Sequence, residues 1–184
     1  MNSSKIYIDG LTLIQPNIIE DERGHFLESF NQKEFNQIFH QINFVQDNES
    51  KSYKGVLRGL HFQTPPFSQA KLVRCIEGKV LDVAVDIRKG SPTFGHYHSI
   101  ILSGTNKKQL YIPRGFAHGY LVLSDFAIFC YKVDNFYSPE HEGGIIWDDK
   151  DLNIEWGVEK KDLLVSLKDL KLPSLSKIDT PFTF

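Results

Sequence analysis

"KLVRCIEGKVLDVAVDIRKGSPTFG", Lys71 to Gly95, is the stretch whose reading decides the fold. It reads as two strands broken at Glu77-Gly78, a dipeptide that looks like a hairpin turn. In the second strand Leu81, Val83, Val85 and Ile87 share one face, and Val80, Asp82, Ala84 and Asp86 the other. The same strand-like pattern continues in "SIILSGTNKKQLYIPRG", from Ser99, and "HGYLVLSDFAIFCYKVD", from His118. Many short strands at regular spacing predict an all-β sandwich or barrel, with a jelly roll as the natural small version. The mouth of such a barrel is lined from several strands and suits a small ligand. Only "NQKEFNQIFHQI", Asn31 to Ile42, reads clearly as helix. Phe35, Ile38, Phe39 and Ile42 fall at helical spacing, and Asn31 with Glu34 resembles a capping box. The late segment "KKDLLVSLKDLKL" fits either a short helix or an ordered loop.

The chain has 184 residues, 41% hydrophobic and 24% charged, as expected of one globular domain spanning residues 1–184. Repeats, low-complexity tracts and Pro/Gly-rich linkers are missing from the sequence. A net charge of -2 argues against nucleic acid as partner. No apolar run approaches the ~20 residues of a membrane span. The start, "MNSSKIYIDG", lacks the pattern of a secretion signal. Cys75 and Cys130, the two cysteines, read as small core residues in a reducing compartment, so the expected location is the cytoplasm.

Chemistry enters through "LRGLHFQ", Leu57 to Gln63, which sets Arg58 and His61 in an apolar run. His61 can accept a proton near neutral pH. Lys71 is a cation at the start of a core strand, and Tyr131 alternates with Phe129 and Val133 on one strand face. Asp169 is a late carboxylate, and His118 follows the turn in "RGFAHGY". Each alone has a plain structural reading: a satisfied buried histidine, a solvated strand end, a core aromatic with its hydroxyl at the rim, a cap. Together, a base oriented by a carboxylate, a cation for an oxyanion and a phenol able to return a proton fit proton abstraction beside a carbonyl. Periodicity gives no means of bringing them together in space.

Seven motifs in order carry a resemblance: "DERGHFLESF", "FVQDNES", "GVLRGLHFQ", the stretch from Lys71 to Gly95, "YIPRGFAHGY", "YKVDNFYSPEHEGGIIWDDKDLNIEW" and "VSLKD". From about Ile14 to Asp169 the chain resembles the dTDP-4-dehydrorhamnose 3,5-epimerases, of the cupin-like jelly-roll class. The resemblance implies a 4-keto-6-deoxyhexose on thymidine diphosphate as substrate, epimerised in the third step of dTDP-L-rhamnose synthesis. It implies no cofactor and no metal, because the C4 ketone acidifies both C3 and C5. By this resemblance His61 is the base and Asp169 the carboxylate that orients it, with Asp82 as second choice. Lys71 stands beside the C4 oxygen, and Tyr131 donates a proton on the other face. Arg58 and His118 hold sugar and diphosphate. Gln46, Asp47 and Asn48 contact the nucleotide, Tyr137 stacks on the thymine, and Glu142 and Lys168 are further contacts. Arg23 and Glu28 match residues that reach the nucleotide from a partner subunit, so a homodimer with exchanged N-terminal strands is implied. Arg58 and His61 are three apart, so for both to reach one site the strand must bend, and Gly59 is the residue that would permit it.

Three other readings compete. His96 and His98, in "GHYHS", form an H-x-H pair that would suit a metal-dependent cupin, though no downstream Glu and His follow at cupin spacing. A non-catalytic sugar-nucleotide-binding module would not need His61, Lys71 and Tyr131. An epimerase acting at one centre shares the same motifs.

Overall fold

In the computed structural model, residues 2–39 and 42–184 are described. In chain order the strands are β1 (Asn2–Lys5), β2 (Thr12–Gln15), β3 (Ile18–Asp21), β4 (Gly24–Leu27), β5 (Gln46–Tyr53), β6 (Val56–Gln63) and β7 (Lys71–Glu77). They continue as β8 (Lys79–Asp86), β9 (Tyr97–Ser103), β10 (Gln109–Ile112), β11 (Phe116–Val122), β12 (Phe126–Val133), β13 (Glu142–Gly144) and β14 (Leu164–Val165). One sheet runs β1-β2-β10-β7-β12-β5, the other β13-β6-β11-β8-β9 with β14 beside β6. β3 and β4 form a two-stranded hairpin of their own. The expected all-β jelly-roll sandwich is what the chain forms.

The core between the sheets takes Val73 and Cys75 from β7, Val80 and Ala84 from β8, Leu102 from β9, Phe116 and Tyr120 from β11, and Phe129 from β12. The opposite face of β8 is buried too. Val83, Val85 and Ile87 pack with Trp147, Leu152 and Trp156 from the segment after β13. The alternation read in β8 is therefore right on both faces, and both are buried because each has its own cover, the two aspartates Asp82 and Asp86 lying on the face turned to the inter-sheet core.

The hairpin at Glu77-Gly78 is not formed. β7 pairs with β10 and β12, whereas β8 pairs with β11 and β9. The turn instead carries the chain from one sheet to the other. Gly78 has φ +80°, and a Cβ there would lie 2.1 Å from the Phe126 carbonyl oxygen. The turn signal was a correct sign of tight backbone, but two apolar strands in sequence can face each other across a core instead of pairing.

Helix α1 spans Gln32–Ile38, shorter than the pattern predicts. Asn31 is its N-cap, accepting from the Lys33 and Glu34 N–H groups. Phe39 is already extended, yet Phe39 and Ile42 still pack around Phe35, Tyr111 and Leu72. Apolar spacing was satisfied by an aromatic cluster without a third turn of helix. His40 and Gln41, inside the predicted helix, lie outside the described residues. The segment from Lys160 is neither alternative alone: short 3-10 turns at Lys160–Asp162 and Asp169–Lys171 flank β14. Both cysteines are free; Cys75 is buried, but Cys130 is only half-buried and is not a core residue.

Candidate active site

β6 holds the answer to the spacing of Arg58 and His61. Its ladder with β11 pairs Tyr120 with Arg58 and His118 with His61, with a register shift between. Gly59 sits in the shift at φ +130°, and a Cβ there would lie 2.6 Å from the Gly119 Cα. Two glycines facing each other let the strands close over an irregularity, so residues three apart serve one cavity.

That cavity, about 490 Å³, opens between the two sheets. Arg58, His61, Lys71, His118, Tyr131, Lys168 and Asp169 all line it. β14 brings in the last two by pairing parallel with Val56 and Leu57 of β6, which lays the Ser166–Asp169 segment beside Gly59 and His61.

His61 Nε2 and Asp169 Oδ1 are 2.7 Å apart. Burial alone would raise Asp169, but the His61 ring, the Gly59 N–H and the Ser166 hydroxyl outweigh it and hold the carboxyl below its usual range. An ionised Asp169 accepts the Nε2–H of a neutral His61, and the other ring nitrogen then carries the lone pair. The imidazole keeps 30% of its side-chain exposure against 5% for Asp169, so the base is the more open of the two cavity-lining partners and its orienter sits deeper.

Lys71 donates to the His61 carbonyl oxygen at 3.4 Å. Part of its side chain touches solvent, but protein surrounds the ammonium and burial pulls it down to about 8, with Asp82 and Glu142 opposing. Tyr131 is raised, first by burial and then by Tyr120. A phenol held protonated and a cation poised in a low-dielectric wall are the groups that an enolate needs.

Asp82 does not orient His61. It is fully buried and accepts from His118 Nε2 at 2.9 Å. The reason is register: the irregularity in β6 turns His61 toward β14, while Asp82 and His118 occupy adjacent strands, β8 and β11.

The family model described as dTDP-4-dehydrorhamnose 3,5-epimerase matches residues 5–177. The chain belongs to the dTDP-4-dehydrorhamnose 3,5-epimerase family. It is 56% identical over 171 residues to the protein of that name from Shigella flexneri, covering 92% of this chain and 93% of that one. A crystal structure from Elizabethkingia anophelis NUHP1 superposes with TM-score 0.91 at 48% identity, covering 96% and 97% of the two chains. Another, the Legionella pneumophila Philadelphia 1 dTDP-6-deoxy-D-glucose-3,5-epimerase in complex with dTDP-4-keto-L-rhamnose, superposes at 0.93 with 49% identity, covering 97% and 94%.

The remaining predicted site residues of this epimerase fall into two groups. At the cavity rim, Gln46 donates to Asn48 at 2.8 Å and its amide oxygen accepts from the Tyr137 N–H at 3.2 Å. Glu142 accepts from the Tyr137 hydroxyl at 3.0 Å and pairs with Lys168. Burial would raise Glu142, but Lys168 and Tyr137 outweigh it and lower it. The second group stays away from this cavity. Asp47 is turned to the other face of β5, where it pairs with Lys132 at 2.6 Å. Arg23, on the β3–β4 hairpin, pairs with Asp21, and Glu28 accepts from Asn31 at 3.0 Å.

The sequence reasoning missed Ser50 and Tyr120, whose hydroxyls meet at 2.8 Å on the cavity wall. Period-two spacing could have found both, since Ser50 follows Asn48 and Tyr120 follows His118 by two residues. The H-x-H pair is not joined by other ligands: among the described residues no group of three or more His, Cys, Asp or Glu is placed to hold a metal.

Proposed function

We propose that this epimerase inverts C3 and C5 of a dTDP-4-keto-6-deoxyhexose, turning dTDP-4-dehydro-6-deoxy-D-glucose into dTDP-4-dehydro-L-rhamnose. The observation that carries the reading is the His61–Asp169 pair, with Lys71 and Tyr131, around one cavity. His61 removes the proton α to the ketone, and the Asp169 carboxylate stabilises the imidazolium that forms. Lys71 meets the charge developing on the C4 oxygen, and Tyr131 returns a proton on the opposite face of the ring. The ketone serves as electron sink, so no metal or redox cofactor is required. Arg58 and His118 hold the sugar and diphosphate, while Gln46, Asn48, Tyr137, Glu142 and Lys168 form the nucleotide rim.

The working unit is a homodimer in the cytoplasm. Ile19 and Phe26 stand 64% and 68% exposed on the β3–β4 hairpin, and Arg23 beside them has, among the described residues, only Asp21 as ion-pair partner. A hairpin that exposes two apolar side chains beside a guanidinium suits a partner's rim, where the guanidinium fork would meet a diphosphate. No helix among the described residues is long and apolar enough to cross a membrane.

Incubation with the 4-keto-6-deoxyglucose nucleotide in deuterated water, followed by NMR, tests the chemistry. Deuterium at both C3 and C5 with inversion is the expected result. Uptake at one carbon alone would make this a single-centre epimerase, and binding without uptake a non-catalytic module.

A further inference from the structure

One half-buried histidine, whose ring Nε2 is shut off from solvent, has no part in the chemistry above. His98 lies on β9, directly opposite Ala84 of β8, and Ala84 is in turn opposite His118 of β11. The three share the face of the sheet that looks into the barrel, where Ala84, Phe116 and Leu102 contribute to the core. Asp82 shares that face two residues from Ala84, so it is a diagonal neighbour of His118 on one side and of His98 on the other. Diagonal neighbours stand about 7–8 Å apart at the backbone, within reach of long side chains. Ala84, which stands between the two imidazoles, carries only a methyl group.

One half of this arrangement is a direct hydrogen bond: Asp82 Oδ2 to His118 Nε2 at 2.9 Å. The other half is two loose ends. Asp82 Oδ1 and His98 Nε2 are both buried and find no protein partner among the described residues. One is an acceptor and the other, in the Nε2–H tautomer, a donor. Buried polar groups of complementary type on one face are the setting in which a single water is held. The other titratable groups near the trio are Lys71 and Cys75 from β7, His61 from β6, and Tyr7, whose ring meets the His98 ring edge-on at 6.3 Å. Burial lowers His98 and Asp82 opposes this, so the neutral imidazole is favoured.

We propose that Asp82 is shared between His118 and His98, with one water passing a hydrogen bond from His98 Nε2–H to Asp82 Oδ1. His98 is then a positioning residue: it fixes the carboxylate that fixes His118, and touches no substrate. Without it, the Asp82–His118 pair loses a donor and binds a proton more readily. The inference rests on the reading of His118 as a group that holds the sugar, but its primary test does not.

The test is NMR of the histidine side chains in the intact free protein. His98 should show a protected Nε2–H; an unprotonated Nε2 would overturn the proposal without any mutation. In His98→Leu the His118 titration should move up by about half a pH unit, and in His98→Gln, which keeps an N–H donor, it should stay close to wild type. An unmoved His118 in folded His98→Leu, or a glutamine variant that behaves like leucine, would refute it. Turnover then separates the two readings. If His118 titrates as expected but neither KM nor kcat changes in His98→Leu, the shared carboxylate stands and the role of His118 in holding substrate falls.

Discussion

The cavity and the β3–β4 hairpin handle their charged residues in opposite ways. In the cavity each histidine meets a carboxylate from a distant part of the chain: His61 meets Asp169, and His118 meets Asp82. On the hairpin and just after it, Arg23 and Glu28 meet near neighbours, Asp21 and Asn31. Strand register fixes the first set before any ligand arrives, whereas the second set is satisfied locally and is free to exchange partners. Preorganised groups suit a transition state, and exchangeable ones suit ground-state binding. The two regions should therefore fail differently when mutated.

The largest effects belong inside. His61→Ala should abolish solvent deuterium exchange and epimerisation together, a loss on the order of 10²–10⁴. Tyr131→Phe should differ in kind: the enolate still forms, His61 returns deuterium to the face it came from, and exchange outlives inversion. Equal loss of exchange in both folded variants would move Tyr131 from proton donor to orienting group. NMR of the sugar carbons distinguishes these outcomes.

Lys71 comes next, because it stabilises an enolate common to exchange and inversion. Lys71→Ala should depress both, by about 10²–10³ as for other oxyanion-stabilising groups. Its value near 8 adds a pH signature. As pH rises through 8 the ammonium is lost, so kcat/KM should fall on that limb. Stability should move the other way. The unfolded chain keeps this proton up to about 10.5, so between the two values it binds more protons than the native state and folding is favoured as pH rises. A Lys71→Met variant whose Tm rises just as much as wild type's from pH 8 to 10 would show that the ammonium is not the buried cation described here.

How much of this could be read from the chain alone follows from which periodicities are local. The faces of β8 were legible because alternation is a property of consecutive residues. The partner of β8 was not, since Glu77-Gly78 gives the same turn signal whether the strands pair or cross between sheets. His61, Lys71, Tyr131 and Asp169 could be named through the family resemblance, and Gly59 marked the bend once Arg58 and His61 were both given to one site. The resemblance already ranked Asp169 above Asp82 as the partner of His61, but the geometry behind that order, the parallel pairing of β14 beside β6 and the placement of Asp82 beside His118 across β8 and β11, leaves no sequence pattern. Asp47 shows the limit of carrying over a motif as a block: Gln46 and Asn48 share a face, so the residue between them must point away.

The hairpin and rim should give smaller, binding-type effects. Arg23→Ala and Tyr137→Ala should raise KM with kcat nearly kept, since both contacts lie far from the reacting carbons. Stacking on a base is worth about 1–3 kcal/mol in nucleic-acid systems, which bounds the Tyr137 effect. A collapsed kcat with unchanged KM in both would contradict the division into regions. Light scattering showing a fully active monomer at assay concentration would remove the partner's hairpin from the site altogether.

The smallest effect is expected at Asp47, and it sharpens the comparison most finely. Gln46 and Asp47 are adjacent, but Gln46 ties into the rim through Asn48 and Tyr137, while Asp47 lies on the far face with Lys132. The Asp47 side chain is 62% exposed, and exposed ion pairs contribute about 0–1 kcal/mol. Asp47→Ala should thus leave KM and kcat nearly unchanged and cost little stability, whereas Gln46→Ala should raise KM. The two variants differ by one position along β5, so a contrast between them reports which strand face, with the contacts it carries, serves the substrate. Equal rises in KM would mean that the far face of β5 also meets substrate or the partner's hairpin, and the boundary between preorganised cavity and exchangeable rim would have to be redrawn to include it.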